Sequence, residues 1–451
     1  MKKFVVLLIV LALTLISTSA FAIHAEETDQ PGIVKSEPGV TSGVAMTFSG
    51  SIEIRERFYN IDATPRTTNA QERVRFNVDA KVGDYLNGRI SIENDWDTFG
   101  RNEAPQGNAS GSVGFNQPTA LSSTAGRLDL REAWMNFMIP GIPVGVKAGH
   151  QLMQLGNGWF FRSMKYGSDA WVVYNDTGNN TLAFYDVRVG ENVKQPPATA
   201  QPDQDIDFYG ILDAYKLADG VVSIDFTYAY APSGGLLGGA TKDSLYNLGL
   251  TYAAKTGPIH LRAEVDIQSG KSETNAFTTP AGQDRDFKGY QAVVQASAPM
   301  DPLTINATLA YGTGHDSADA TDQKQIITVL DTERHYTLIY EYLLTTGSGG
   351  LHTGFANTMA ASLGGEFKIS KSVAVGLEYW YLQAVEDVAI NGGAPDSNLG
   401  QELDATVNWK LYDNLTWNWR FGWFMPGDAY KHGTVDAEDS TAVYGMLSFK
   451  F

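Results

Sequence analysis

The chain has 451 residues, a formal charge of −18 and no cysteine. The absence of thiols excludes disulfides, thiolate metal sites and covalently attached haem, and the acidic balance argues against nucleic acid as a partner. After the N-terminal segment, no run reaches the roughly 18 to 20 apolar residues that a membrane helix needs. A closed β-barrel could still cross a membrane, because only alternate residues face lipid and the strands satisfy one another's backbone groups.

The N-terminal residues have the composition of an export signal. Two lysines precede an apolar stretch, and small residues surround a cleavage point after Ala22. Residues 1–22 are therefore predicted to be a signal peptide that is removed on export. A retained anchor is the alternative, although the apolar stretch is short for a spanning helix. Residues 23–43 contain several acids and prolines with little periodicity, which predicts a flexible periplasmic tail.

Most of the chain consists of segments in which apolar and polar residues alternate. In 88–97, for example, Ile90, Ile92 and Trp96 are assigned to one face and Glu93 to the other. This alternation places lipid-facing and water-facing side chains on opposite faces of a strand. The segments predicted as strands are 46–58, 72–82, 88–97, 127–139, 143–152, 169–175, 181–190, 206–217, 221–231, 244–255, 259–269, 285–298, 303–312, 356–369, 373–384, 400–411, 415–424 and 441–451.

The connections between these segments are short and long in turn, which is typical of tight periplasmic turns and long external loops. Residues 44–451 are therefore predicted to form an all-β, transmembrane, antiparallel up-and-down β-barrel of about eighteen strands. Sixteen or twenty strands remain alternatives, because 326–330 and 336–344 in the long connection 313–355 could pair as a further hairpin. A soluble β-sandwich is also open, but so many long strands favour closure with lipid outside.

The last strand, 441–451, ends in an aromatic residue. Leu447, Phe449 and Phe451 lie on one face of this strand, and Ser448 lies on the other. A terminal aromatic in such a strand resembles the signal by which outer-membrane barrels are recognised for assembly. Phe451 is therefore predicted to be an assembly signal, with the barrel assembly machinery as its partner.

Several segments resemble the alginate-export-type porins. They are Arg131–Trp134, Gly149–Leu152, Gly156–Gly158, Gly400–Ala405 and Leu415–Asp428. His150 departs from the family, which commonly has arginine at the matching position. The resemblance implies an outer-membrane barrel of eighteen strands and a transport function. The acidity of this chain argues against a polyuronate as its cargo, because acidic loops repel a polyanion.

Charged residues at water-facing positions form the candidate pore lining. In a low-dielectric lumen such charges order permeating ions and polar solutes strongly. A network of paired charges that only keeps the lumen hydrated and rigid is an equal alternative, since both signs occur in similar number. The first wall consists of Glu53, Arg55, Arg57, Arg73, Arg75, Asp79, Arg89, Glu93, Asp95, Arg127 and Arg131, and the second wall includes Arg262, Glu264, Glu402, Asp404 and Arg420.

An aromatic stretch follows the fifth predicted strand. Trp159, Phe160, Phe161 and Arg162 lie in a segment with three nearby glycines. If the segment folds inward, these residues form a constriction that contacts a sugar or an aromatic solute. The alternative is an external loop that packs against its neighbours.

Together these features predict an outer-membrane porin through which small hydrophilic solutes or ions diffuse passively. The alternative is a scaffold barrel that sheathes a cytochrome or an export component; an inward constriction favours the porin. No Gly-x-Ser-x-Gly or His-Glu-x-x-His motif occurs, so neither an enzyme nor a cofactor nor a metal is expected. The expected partners are outer-membrane lipid and lipopolysaccharide, the assembly machinery, small solutes and, in a homo-oligomer, further copies of the chain.

Overall fold

The structure is a computed structural model. It describes residues 43–62, 64, 66–98, 128–190, 205–232, 236, 241–274, 284–316, 319, 321–331, 335–344 and 354–451. The predicted signal peptide, 1–22, and all of the predicted tail except its last residue lie outside the described residues. Among the described residues, no helix is long and apolar enough to cross a membrane.

Eighteen antiparallel strands form a closed barrel. Two pieces, β12 and β13, make up one wall strand, since both pair with β11, and two short strands, β15 and β16, lie in the connection after β14. The strands are β1 (Ala45–Asn60), β2 (Thr67–Val82), β3 (Leu86–Thr98), β4 (Asp129–Met138), β5 (Gly145–Gln154), β6 (Phe161–Asp176), β7 (Asn180–Gly190), β8 (Ile206–Leu217), β9 (Gly220–Ala231), β10 (Thr241–Thr256), β11 (Ile259–Thr274), β12 (Arg285–Phe287), β13 (Tyr290–Met300), β14 (Leu303–Gly312), β15 (Asp322–Gln323), β16 (Val329–Leu330), β17 (Thr358–Lys368), β18 (Val373–Val388), β19 (Asp396–Tyr412), β20 (Leu415–Pro426) and β21 (Ser440–Lys450).

The first and last strands close the wall. β1 and β21 pair from Ser51 with Lys450 to Asn60 with Thr441. Phe451 extends this pairing, because its N–H donates to the Gly50 carbonyl at 3.0 Å and its carbonyl accepts from the Gly50 N–H at 2.9 Å. The sheet therefore has no open edge, and the predicted barrel of eighteen strands is confirmed.

The outer face of the barrel is apolar and aromatic. On β20, Phe421 and Trp423 are exposed on this face, and Trp417 and Trp419 stack along the same row. Such a surface suits lipid and its interfaces, where aromatic rings are enriched. At one end the strands are joined by tight turns such as the one at Gly257, whose φ of +61° favours glycine.

The connection between β14 and β17 does not add a hairpin to the wall, so the twenty-strand alternative is wrong. β15 instead pairs in parallel with β12, and β16 pairs in parallel with β6 on the other side of the lumen. One turn of π-helix, Tyr340–Leu344, follows. The apolar residues that suggested a membrane hairpin, including Ile326 and Ile339, are fully buried inside the barrel. They pack against the inner wall instead of facing lipid.

Candidate functional site

Charge pairs line the inner face of β1–β3, where partner residues lie opposite each other on neighbouring strands. The closest pairs join Arg73 to Glu53 with Nε to Oε2 at 2.7 Å, Arg75 to Glu93, and Arg89 to Asp79 with Nε to Oδ1 at 2.7 Å. Opposite charges on directly opposed residues stabilise a sheet and compensate each other. These predicted wall residues are therefore brought together as ion pairs.

Arg55 and Arg57 differ from the other arginines of this wall. In the described part of the chain, both guanidinium groups donate only to neutral acceptors, and neither has a carboxylate partner. Their positive charges are therefore not compensated by direct ion pairs. The acceptors of Arg55 are Gln71 Oε1 at 2.9 Å and Tyr444 Oη at 2.8 Å, and those of Arg57 are Asn69 Oδ1 at 3.0 Å and Tyr342 Oη at 3.2 Å.

Trp96 lies inside the lumen, which contradicts its predicted place on the lipid face. Its ring centroid is 3.5 Å from the Arg55 Cζ and 4.3 Å from the Arg73 Cζ. The reason is a register shift between β2 and β3 that begins at Val74 and inserts an extra residue into β3. An extra residue reverses the alternation beyond it. The indole thus forms cation–π contacts with two arginines.

A second register shift turns Glu132 inward, a residue that the sequence analysis did not assign to the pore. The shift lies between β3 and β4 at Ser91, and as a result adjacent residues Arg131 and Glu132 are both buried. Glu132 Oε1 is 3.5 Å from Arg89 Nη1 and 3.6 Å from Arg131 Nη1. The adjacent charges Arg131 and Glu132 interrupt the alternation of β4, but this signal does not identify a bulge by itself, since Arg55 and Glu56 on β1 are adjacent without a register shift.

The aromatic stretch after β5 lies inside the barrel. Residues 155–160, the first inner loop, cross the lumen to Glu264 on β11. Glu264 accepts the backbone N–H groups of Asn157 at 2.6 Å, Trp159 at 2.9 Å and Phe160 at 3.1 Å. Trp159, Phe160 and Phe161 are nearly fully buried. The role of these aromatic residues as a constriction stays a prediction.

A second inner loop, described over residues 321–331 and 335–344, meets the first. Asp331 accepts the Arg162 Nη1 at 2.8 Å, so a predicted constriction residue lies at this junction. The two loops are further joined along β6 and β16. Two backbone hydrogen bonds cross the junction, Val329 N to Phe160 O at 2.8 Å and Asp331 N to Arg162 O at 3.0 Å. The Asp331 Oδ2 also accepts the backbone N–H groups of Met164 at 2.5 Å and Lys165 at 3.1 Å.

The second inner loop is also bound to β19. Glu402 accepts the N–H groups of Ile339 at 2.6 Å and Tyr340 at 2.7 Å. Asp404 accepts the N–H of Leu338 at 3.2 Å. Burial raises the pKa of Tyr340, whose hydroxyl lies 3.1 Å from Thr358 Oγ1. This phenol therefore stays protonated at physiological pH.

Aromatic rings fill the space between the two inner loops and the wall. Phe355 lies 4.6 Å from Trp159 and 4.2 Å from Tyr336, and Tyr336 lies 5.1 Å from Trp380, measured between ring centroids. Aromatic packing of this kind excludes water from the part of the lumen next to β17 and β18. The rings therefore occupy part of the cross-section of the barrel.

The second predicted wall is divided between covered and accessible groups. Glu264 and Glu402 are only 2% and 0% exposed beneath the inner loops. Arg262 and Asp404 are half-buried, and Arg420 is exposed. Arg57, Asp79 and Arg89 on the first wall are also half-buried. The loops therefore cover two carboxylates of the second wall, while several arginines keep contact with solvent.

Two predicted residues cannot be placed. Arg127 lies outside the described residues, and the side chain of Asp95 lies outside them too. The described residues contain no group of three or more His, Asp or Glu side chains that could hold a metal ion. Phe451 is exposed at the end of the closing strand, and its role as an assembly signal stays a prediction.

Comparisons with known proteins agree with this architecture. A family model described as alginate export matches residues 45–443. No curated protein matches the chain in sequence.

Solved structures of outer-membrane proteins share the fold. Pseudomonas aeruginosa OccK2 (OpdF) in complex with glucuronate has a TM-score of 0.53 and 12% identity, over 90% of this chain and 98% of that chain. Pseudomonas aeruginosa OpdK with vanillate has a TM-score of 0.53 and 8% identity, over 90% and 98%. Acinetobacter baumannii OccAB1 has a TM-score of 0.53 and 10% identity, over 90% and 97%. At such identities the likeness shows the fold.

Proposed function

The chain belongs to the alginate-export family of outer-membrane β-barrels, and we propose that it is a channel through which small hydrophilic solutes diffuse passively, with a preference for anions. The observation that carries the preference is the pair Arg55 and Arg57, whose guanidinium groups find only neutral hydrogen-bond partners in the part of the chain that the structure describes. No reaction and no energy coupling are part of the proposal.

The inner loops support a channel rather than a scaffold. A barrel that sheathes a cytochrome or an export component needs a wide lumen. Here residues 155–160 cross the lumen to Glu264 on β11, and β16 of the second inner loop crosses it to β6, while residues 335–344 lie against β19. A lumen narrowed in this way suits solutes of limited size and has little room for a folded protein.

The distribution of accessible charge supports the preference for anions. The inner loops cover the carboxylates of Glu264 and Glu402, whereas Arg57 and Arg89 keep contact with solvent. Arg89 is paired with Asp79, so among the described residues of the first wall the positive charge without a carboxylate partner is that of Arg55 and Arg57. A positive lumen lowers the energy of an anion and raises that of a cation.

The chemistry of ligands in structures of the same fold is consistent with this preference. OccK2 has been solved with glucuronate and OpdK with vanillate, and each ligand carries a carboxylate. A small carboxylate could accept hydrogen bonds from a guanidinium, for which planar groups of two oxygens are well matched. Small organic acids are therefore the first solutes to test, ahead of a polyuronate.

Liposome swelling tests the proposal. Purified protein in liposomes should admit small sugars at rates that fall steeply with their size, and should admit glucuronate faster than the neutral sugar glucose. Liposomes without protein are the control. Equal rates for glucuronate and glucose would remove the anion preference, and no swelling in any solute would contradict the channel itself.

Contacts with lipopolysaccharide, recognition by the assembly machinery and homo-oligomer formation stay predictions. The apolar outer face is suited to lipid. Lipid retention during purification and the mass of the protein–detergent complex would test the first and the third.

A further inference from the structure

The inner loops narrow the proposed channel, so the groups that hold them inside determine its width. We propose that Glu264 and Glu402 are the positioning residues that fix the two inner loops across the lumen and thereby set the channel's cross-section. The inference rests on the proposed channel function. It assigns these carboxylates to the support of the constriction and not to contact with solutes.

Glu402 and the second inner loop satisfy each other's polar groups. The carboxylate is fully buried, and its two oxygens each accept a backbone N–H, from Ile339 at 2.6 Å and from Tyr340 at 2.7 Å. A buried carboxylate is costly without hydrogen-bond donors, and buried N–H groups are costly without acceptors. When the loop is docked, the carboxylate has its donors and the two N–H groups have their acceptor. Removing the carboxylate therefore favours release of the loop.

Glu264 binds the first inner loop in the same manner. It is 2% exposed and accepts three backbone N–H groups, from Asn157, Trp159 and Phe160. The loop can approach β10 and β11 so closely because residue 156 is glycine: a Cβ there would lie 2.3 Å from Thr251 Cγ2. Two loops of unrelated sequence are thus bound in the same way, by a buried glutamate that accepts hydrogen bonds from several nearby backbone N–H groups.

The wall also leaves room for the docked loop. A Cβ at Gly422 on β20 would lie 3.1 Å from both Ile339 Cδ1 and Asp404 Oδ1, so glycine at this position makes space for the isoleucine and for the carboxylate beside it. A larger residue there would push Ile339 off the wall without changing Glu402. Steric exclusion at Gly422 therefore provides a second way to displace the loop.

The two anchors are not independent, because the loops are joined to each other. Asp331 of the second inner loop binds Arg162, which directly follows the first loop on β6. Release at Glu402 should therefore also loosen the contacts at the junction. Replacing both glutamates should widen the channel more than either replacement alone, but by less than the sum of the two effects.

Single-channel recording gives the first test. Glu402→Ala removes both hydrogen bonds, and Glu264→Ala removes three. Each variant should raise the single-channel conductance by about twofold, since a wider lumen conducts more, and should admit larger sugars in liposome swelling. Gly422→Val should have the same effect with Glu402 intact. The matched control is Glu378→Gln, because Glu378 lies on the inner face of the adjacent strand and accepts from Ser362 at 2.7 Å, not from a loop.

Cysteine labelling gives a second test that does not depend on conduction. The chain has no native cysteine, and Ile339 is 0% exposed. An Ile339→Cys variant should react slowly with a water-soluble maleimide, and addition of Glu402→Ala should raise the labelling rate by about a hundredfold, as expected for the loss of two buried hydrogen bonds. Addition of Glu378→Gln should leave the rate unchanged.

The outcomes separate the two proposals. A wild-type protein that does not conduct contradicts the channel function, while labelling still tests the anchors. The assignment of these glutamates would be overturned if Glu402→Ala and Glu264→Ala kept the conductance and labelling rate of the protein without these changes. The variants must first be shown to be folded, by the change in electrophoretic mobility that heating causes in a folded barrel. Rapid labelling of Ile339→Cys alone would overturn it as well.

Discussion

Replacing Arg55 and Arg57 with alanine removes two inner-wall cations that have only neutral hydrogen-bond partners among the described residues, and leaves the ion pairs of Arg73, Arg75 and Arg89 in place. In water, one charge attracts a monovalent ion about 4 Å away by about 1 kcal/mol. Both arginines together contribute about 2 kcal/mol, or roughly thirtyfold in local anion concentration before salt screening. With screening at moderate ionic strength, we expect a fall of about fivefold in the permeability ratio of chloride to potassium.

The assay is the reversal potential of purified protein in a planar bilayer across a KCl gradient. Wild-type protein should show a reversal potential of the sign expected for a chloride-selective channel. The double variant Arg55→Ala/Arg57→Ala should shift the reversal potential towards the value for potassium selectivity. The control is Lys242→Ala/Lys271→Ala, which removes two positive charges from exposed positions of β10 and β11 that alternate with buried Asp243 and Ser272. An unchanged potential in the arginine variant, or an equal change in the control, would refute the reasoning.

Three further predictions follow from the same contacts. Glu53→Gln removes one negative charge and the ion pair between Glu53 and Arg73, so the reversal potential should move towards anions, and breaking this buried pair should lower the free energy of unfolding by about 3 kcal/mol in a guanidinium titration; a shift towards cations would contradict the placement of this pair in the lumen. Trp96→Ala removes cation–π contacts with Arg55 and Arg73 and should lower the free energy of unfolding by about 2 kcal/mol, measured by thermal unfolding. Unchanged stability would contradict the contacts of Trp96 with these arginines. Asp331→Ala removes the side-chain hydrogen bonds that join the two inner loops and should raise the single-channel conductance. The control Asp322→Ala removes the surface ion pair with Lys288 and should leave the conductance unchanged. Equal conductance in both variants would argue against the role of this junction.

The strands that form the wall of the barrel could be predicted from the sequence. Alternation identified each wall strand, because a strand of this barrel has one row of side chains facing lipid and the other facing the lumen. It also selected the arginine and carboxylate residues that pair across β1–β3. These are local properties, in which each residue's face follows from its neighbours two positions away.

The inside of the lumen was harder to predict. Trp96 and Glu132 were placed incorrectly or overlooked because one extra residue in a strand reverses the alternation, and alternation alone does not show where such a bulge occurs. The inner loops depend on contacts between residues far apart in the chain, such as Glu402 with Ile339. Apolar residues in a long connection suit a membrane hairpin as well as an inward loop, so the direction in which 313–355 folds was not determined by its composition.

The reversal potential of the wild-type channel tests the central claim most directly. Single channels reconstituted in a planar bilayer with a KCl gradient should conduct, and the current should reverse at a potential of the sign that chloride selectivity gives. A reversal potential of the sign that potassium selectivity gives would contradict the proposed role of Arg55 and Arg57. The absence of any conductance would contradict the channel function.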